Sequence, residues 1–329
     1  MNARRWLVLV AVVTVVGAAC TGDGGGDGGG GDLGGGGDGV SQRDYNISMV
    51  IHSDPSGTYW GVVKIGAEDA ARDLGISLDI QGSEDPAKMA DLVESAIASG
   101  ADGIALTFAA PDAMAGPVSQ ALAEGIPVVG LDSGIEDWQA AGAIGFVGQD
   151  EYIAGRGVGE RLNEEGLTKV ICAIHEVANI ALDDRCRGIE DTFGGEVVRL
   201  QIEFADPVGS QATIKSALEA DPEIDAIVTL NPDMATESAL PAIQEVGRDV
   251  ALATFDLGPD VLTALDAGDM LFAVDAQPYL QGYLPVLMLV LNLENLNTIG
   301  GGLPILTGPG FVTTENAGTV AELVEAGTR

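Results

Sequence analysis

Histidine, cysteine and basic residues are all scarce in this sequence, and each shortage removes a class of function. Two histidines, His52 and His175, stand among 329 residues, too few for a histidine-rich metal centre. Three cysteines form no CxxC pair, and neither HExxH nor GxSxG occurs, so the common zinc, dithiol and serine-hydrolase signatures are missing. Fifteen Lys and Arg face 50 Asp and Glu, for a formal charge of −35. Such a surface repels phosphate backbones, which excludes nucleic acid as a partner. It also repels anionic lipid, so membrane attachment would need an anchor.

The first 44 residues read as an address and a tether. Arg4 and Arg5 precede an uncharged run from Trp6 to Ala19, about 14 residues, short for a membrane span and right for the apolar core of a signal peptide. The run ends Gly17-Ala18-Ala19-Cys20. This resembles a bacterial lipobox, with Gly17 where Leu is usual, and the resemblance implies lipidation of Cys20. Residues 1–20 are thus expected to be a lipoprotein signal peptide. The Gly/Asp-rich stretch 21–44 cannot bury a core and is expected to be a flexible tether. Its glycines are not a phosphate loop, because no GK[ST] closes them and no strand precedes them. In an exported chain the two remaining cysteines, Cys172 and Cys186, are expected to form a disulfide, two buried thiols being the alternative.

From Tyr45 the chain alternates apolar runs with amphipathic segments. Runs at 47–51, 76–80, 103–107 and 126–131 are separated by helical patterns near 58–74, 86–97 and 112–124. A second series begins at 143–148, with further runs at 169–175, 197–204, 226–230, 250–255 and 271–275. Its helical patterns lie near 150–165, 183–193, 210–220, 234–246, 259–267 and 279–295. Such alternation predicts α/β architecture with parallel sheets covered on both faces. Two series of this length predict two doubly wound lobes rather than one eight-stranded barrel.

In open parallel sheets, ligands bind beyond the carboxyl ends of the strands. The residues that end the apolar runs are therefore the candidate site: His52-Ser53-Asp54, Thr107, Asp132, His175-Glu176, Asn231, Asp256 and Gln277. Tyr59 and Trp60 lie just past the first run. Asp183, Asp184 and Arg185 are expected to open the helix after His175, with Asp183 or Asp184 as its cap. Fork-shaped acceptors and one guanidinium suit adjacent hydroxyls, and aromatic planes suit the C–H face of a sugar ring. Arg185 beside Asp132 or Asp256 would make a buried charge tolerable.

Taken in order, SDPSGTYWGVVKIGAEDAARDLG, DPAKMADLVESAIASGADGIAL, GIPVVGLDSG, FVGQDEYIAGR, DDRCRGIED, LNPDMA, TFDLGPD and AVDAQPYLQGY resemble the type I periplasmic sugar-binding proteins of ABC importers. The resemblance covers nearly all of 45–329. It implies an N-terminal lobe from 45–146 plus 278–306 and a C-terminal lobe from 147–277 plus 307–329. A three-segment hinge, near 133–147, 255–258 and 277–279, would join them. It further implies ligand contacts at Ser53, Tyr59, Trp60, Asp132, Arg185, Asn231, Asp256 and Gln277. Two departures count against ribose itself: Ser133 stands where ribose-binding members carry Arg, and Ala205-Asp206-Pro207-Val208 lacks their aromatic. The segment IHEVAN, with His175, Glu176 and Asn179, is expected to supply replacement contacts.

The resulting expectation is a monomeric, extracytoplasmic solute-binding lipoprotein, held at the outer face of the cell membrane or in the periplasm. It would capture a monosaccharide or polyol between its lobes and hand it to ABC permease subunits, with no cofactor, metal or catalytic residue. The alternative is a sensor that presents a sugar or autoinducer-like ligand to a chemoreceptor or kinase. Carboxylate-only glycoside hydrolysis is compatible with the acid count but not with the resemblance. A regulator of the lactose-repressor kind would need a basic helix-turn-helix at the N-terminus, where this chain carries a signal and a Gly/Asp stretch.

Overall fold

The computed structural model describes residues 43–177 and 179–329; the signal peptide, Cys20 and nearly all of the expected tether lie outside them. The first lobe runs β1 (Asn46–Ile51), α1 (Thr58–Leu74), β2 (Ser77–Gly82), α2 (Pro86–Ala98), β3 (Gly103–Thr107), α3 (Pro111–Ala123), β4 (Val128–Leu131), α4 (Trp138–Ala141) and β5 (Phe146–Gly148). The second begins with α5 (Glu151–Glu164), β6 (Lys169–Ile174), α6 (Ile180–Thr192), β7 (Glu196–Gln201), α7 (Pro207–Ala220) and β8 (Ala226–Thr229). It continues through α8 (Pro232–Met234), a π-helical turn at Ala235–Ala239, α9 (Leu240–Val246), β9 (Ala251–Phe255), α10 (Pro259–Ala267) and β10 (Phe272–Asp275). The chain then returns as α11 (Pro278–Asn295), β11 (Ile305–Leu306), β12 (Gly310–Thr313) and α12 (Ala317–Glu325).

Two six-stranded sheets result, ordered β11-β5-β4-β3-β1-β2 and β12-β10-β9-β8-β6-β7. Every pairing is parallel except β12 against β10. The central strands are buried throughout, as in β3, β4, β8 and β10, which is why their sequences read as unbroken apolar runs rather than alternations. In each sheet the winding reverses beside the first strand, between β1 and β3 and between β6 and β8. Ligand crevices of open α/β sheets form at that switch point.

The lobes are joined by three strands of chain. The first runs from β5 into α5, the second from β10 into α11, and the third from β11 to β12. The expected crossovers at 133–147 and 255–258 are corrected. Residues 133–145 stay with the first sheet, because the chain after β4 turns back to supply β5. Residues 255–258 only end β9. The third crossover lies instead at 306–310, in the tail.

The return helix docks by close backbone contact. A Cβ added to Gly66 of α1 would lie 2.1 Å from the Tyr279 carbonyl oxygen, and one on Gly282 of α11 would lie 1.9 Å from that of Val63. Only glycine permits α1 and α11 to approach so closely.

Candidate functional site

Three non-glycine residues take a left-handed backbone conformation at strand ends. Asp132 (φ 60°) follows β4, Asp256 (φ 70°) follows β9 and Gln277 (φ 53°) comes two residues after β10. Such conformations are costly, and they persist where the surrounding structure over-determines them. The amides of Asp132 and Asp256 still donate to the neighbouring strands, at Val147 and Val274. The chain then swings away, and both carboxylates line a cavity of about 400 Å³ between the lobes.

From the first lobe, His52, Ser53, Asp54, Tyr59, Trp60 and Asp132 reach this cavity. The second lobe supplies His175, Glu176, Asn179, Arg185, Asn231 and Asp256. Two expected residues stay out. Thr107 is fully buried beneath the turn after β4, whose Ser133 carbonyl accepts from the Phe108 amide at 3.0 Å. Gln277 folds its amide back onto the Thr307 carbonyl, so it ties two crossovers together instead of facing ligand. Gln281, one turn further on, is the residue that approaches the site, with Oε1 3.0 Å from the Tyr59 hydroxyl.

The Asp132 carboxylate is clamped by its own lobe. Tyr59 donates to Oδ1 at 2.7 Å and Ser133 to Oδ2 at 2.7 Å. Burial, followed by the Asp132 charge, pushes the Tyr59 hydroxyl well above its usual range, so it remains a donor. Trp60 packs edge-on to both His52 and Tyr59, at 4.9 and 5.1 Å between ring centres. Phe204 lines the cavity from the other lobe, next to the 205–208 stretch that lacks an aromatic.

Among the described residues, Arg185 is the only lysine or arginine lining the cavity, and it is largely neutralised. Its Nε and Nη2 donate to the two Glu151 oxygens at 2.6 and 3.1 Å, and Nη1 donates to the Leu230 carbonyl at 2.9 Å. The guanidinium also lies over the Phe255 ring at 4.5 Å. Glu151 was not among the expected residues. It is the first residue of α5 and only 4% exposed; a Glu at a helix start ordinarily just complements the helix dipole, so sequence alone did not mark it. The close packing of α5 on α6 brings it there: a Cβ on Gly155 would fall 2.1 Å from the Arg185 carbonyl oxygen.

Asp256 is buried and accepts no hydrogen bond from the protein at Oδ1; its Oδ2 lies 3.7 Å from Arg185 Nη1. Burial outweighs the attraction of Arg185 and pushes this carboxyl well above the usual range. Burial, then the Arg185 charge, drives the His175 imidazole down to about 3, leaving it neutral. His52 Nδ1 and His175 Nδ1 are likewise buried without partners. Buried polar groups are nearly always paired, so partnerless ones facing a cavity mark where a ligand's polar groups would sit.

Asn179, not Asp183 or Asp184, caps α6: its Oδ1 accepts from Ala181 N at 3.1 Å, and the helix starts at Ile180. That fixes the amide, so Nδ2 donates to Glu176 at 2.9 Å and faces His52 Nε2 at 3.1 Å across the lobes. Two further contacts cross the gap: Thr58 Oγ1 donates to Asp233 at 2.6 Å, and Ile180 N to the Ala109 carbonyl at 3.3 Å. Cys172 and Cys186 are joined by a disulfide, with Cα atoms 5.9 Å apart. No group of three or more His, Cys, Asp or Glu among the described residues is arranged to hold a metal ion.

Comparison with known proteins supplies the context. Residues 47–296 match the family model described as periplasmic binding protein domain. A carbohydrate transporter protein from Acidothermus cellulolyticus, solved in complex with myo-inositol, is 36% identical with a TM-score of 0.85; the match covers 87% of this chain and all of that one. The xylose/arabinose-binding protein XylF of Sulfolobus acidocaldarius is 28% identical over 273 residues, covering 76% of this chain and 67% of the relative. A periplasmic sugar-binding protein from Legionella pneumophila is 25% identical with a TM-score of 0.75, covering 81% of this chain and all of that one.

Proposed function

The chain belongs to the periplasmic binding protein family, in its type I sugar-binding branch, whose members are binding proteins and not enzymes, and from that premise we propose that it captures one uncharged monosaccharide or cyclitol between its lobes for an ABC importer. The observation that carries this reading is Asp256. A buried carboxylate without a protein donor, next to a guanidinium already paired with Glu151, requires hydroxyl donors from outside. Asp132 and Glu176 add acceptors, and Trp60 and Phe204 add apolar surface for ring C–H groups. A cavity of about 400 Å³ accommodates one six-membered polyol ring with several waters.

Charge argues for a neutral ligand. Among the described residues, Asp54, Glu84, Asp132, Glu176, Glu203, Asp233 and Asp256 line the cavity against the single cation Arg185, so a sugar phosphate or sugar acid would be repelled. Ligand spanning both lobes favours their apposition by binding that state better. In this reading Cys20 carries the lipid, residues 21–44 are the tether, the protein works as an exported monomer, and the apposed lobes are what the permease recognises.

The test is a thermal-shift screen of pentoses, hexoses and inositols, because a ligand that binds only the folded state raises the melting temperature. At least one polyol should register with the native chain, and Asp132→Ala or Arg185→Ala should abolish its effect. A screen in which only amino acids or peptides register would overturn the reading.

A further inference from the structure

The disulfide lies where the binding residues are densest. Cys172 is in β6 and Cys186 in α6, 14 positions apart. The covalent ring they close contains His175, Glu176, Asn179 and Arg185, four of the cavity residues named above for the second lobe. Both sulfurs belong to fully buried residues, so the bridge is shielded from solvent reductants and acts as a permanent part of the fold.

Position on the helix gives the bridge its effect. Leu182, Cys186 and Ile189 share the apolar core beneath β6, on the i, i+4, i+7 stripe of α6. Arg185 precedes Cys186 and therefore points about 100° away around the helix, toward Glu151 and the cavity. Bonding Cys186 to β6 fixes the roll of α6 about its axis, and the roll decides where the guanidinium lies. At the other end of the ring, the described residues between β6 and α6 hold to their own lobe by few contacts, among them His175 packed on Phe204 with ring centres 5.9 Å apart. The segment's backbone accepts from Phe204 N at 3.3 Å, and its main side-chain bond is internal, Asn179 to Glu176. Its further contacts run to the opposite lobe, through His52 and Ala109.

We propose that the Cys172–Cys186 bridge is a positioning element of the binding site: it holds the ring that presents His175, Glu176, Asn179 and Arg185, and through that ordering it sets ligand affinity. Closing a ring of this size removes alternative conformations of the segment. Without it, those conformations compete with the binding-competent one, and apparent affinity falls by the fraction of time the segment spends in them. The affinity half of the proposal rests on the polyol reading; the ordering half does not.

The experiment compares the native chain with Cys172→Ala/Cys186→Ala, and with Cys172→Ala/Cys186→Val, which restores core volume should the first variant fold poorly. Amide hydrogen exchange is read first. The proposal expects backbone amides in 179–185 to exchange at least tenfold faster while β8 and β9 keep their native protection. Equal exchange in that segment, or acceleration spread evenly over the second lobe, would overturn it by making the bridge an ordinary staple. Calorimetric titration with myo-inositol and D-xylose follows. Whichever of these probes the native chain binds should be bound at least tenfold more weakly by the variants; unchanged affinity would also overturn the proposal. If the native chain binds no member of the pentose, hexose and inositol screen, the polyol reading fails, and the exchange result still decides the role of the bridge.

Discussion

Replacing Glu151 by Met would remove the bidentate partner of a buried arginine while nearly preserving volume. Breaking a buried ion pair by deleting one partner typically costs about 3–5 kcal/mol, mainly because the other charge is left desolvated and unpaired. Here part of that is retained. Asp256 lies 3.7 Å from Arg185, where the attraction at an effective dielectric of 20 is about 4–5 kcal/mol, and the Leu230 carbonyl still accepts from Nη1. The loss should therefore sit at the low end, about 3 kcal/mol, which corresponds to a fall of roughly 6–12 °C for a lobe of this size. Differential scanning calorimetry of Glu151→Met at neutral pH measures it. The companion variant Glu151→Met/Arg185→Met removes both ions. Asp256, whose carboxyl burial already pushes up, then takes a proton, and more than half of the lost melting temperature should return. A drop under 2 °C for the single variant, or a double variant no more stable than the single, would refute the claim that this pair governs the local energetics.

Three further outcomes follow from the same geometry. His175 is held at about 3 in the folded protein, against about 6.5 in the unfolded chain, so its depressed value contributes stability that is intact above pH 6.5. As pH falls from there toward 3, the unfolded state gains a proton that the folded state refuses, costing about 1.4 kcal/mol per pH unit; urea melts of the native chain and His175→Gln should diverge in that window and agree at pH 7.5. Gly282→Ala places a methyl 1.9 Å from the Val63 carbonyl oxygen and should destabilise by at least about 2–3 kcal/mol through overpacking, whereas Gly116→Ala, with open space around it, should be neutral or stabilising; chemical denaturation of the two decides. Glucose 6-phosphate and gluconate should give no thermal shift at concentrations where the responding neutral polyol saturates, because the described lining of the cavity carries seven carboxylates against one paired guanidinium.

The two parallel-sheet lobes and about half of the residues lining the cavity were legible in the sequence, for a definite reason. Parallel strands buried on both faces leave unbroken apolar runs, and the residue that ends each run is where a ligand would sit. Asp132, Asp256, Asn231 and His175 were legible in this way. Thr107 and Gln277 ended runs too, but whether an end faces a cavity depends on what lies over it. In these cases it was the Ser133 turn and the Thr307 carbonyl, both distant in sequence or in pairing. Glu151 was illegible because its role arises from the approach of α5 to α6, governed by Gly155 and Gly188, and an acid at a helix start looks the same whether or not an arginine comes to meet it. The α6 cap was misread because Asn179 and Asp183 are both good caps, and only the backbone decides which one is used.

The gap between the lobes is already spanned by the protein's own atoms, at Thr58 with Asp233, His52 with Asn179, and Ala109 with Ile180. At about 0.5–1.5 kcal/mol each, three such bonds lower the work left for an incoming solute. They also bias the lobes toward apposition, a bias that small-angle scattering should register as a shift toward the extended form in Thr58→Val. Any partner that senses apposition would then read a balance set jointly by the solute and by these three bonds, so their strength tunes how sharply loaded molecules stand out from the rest.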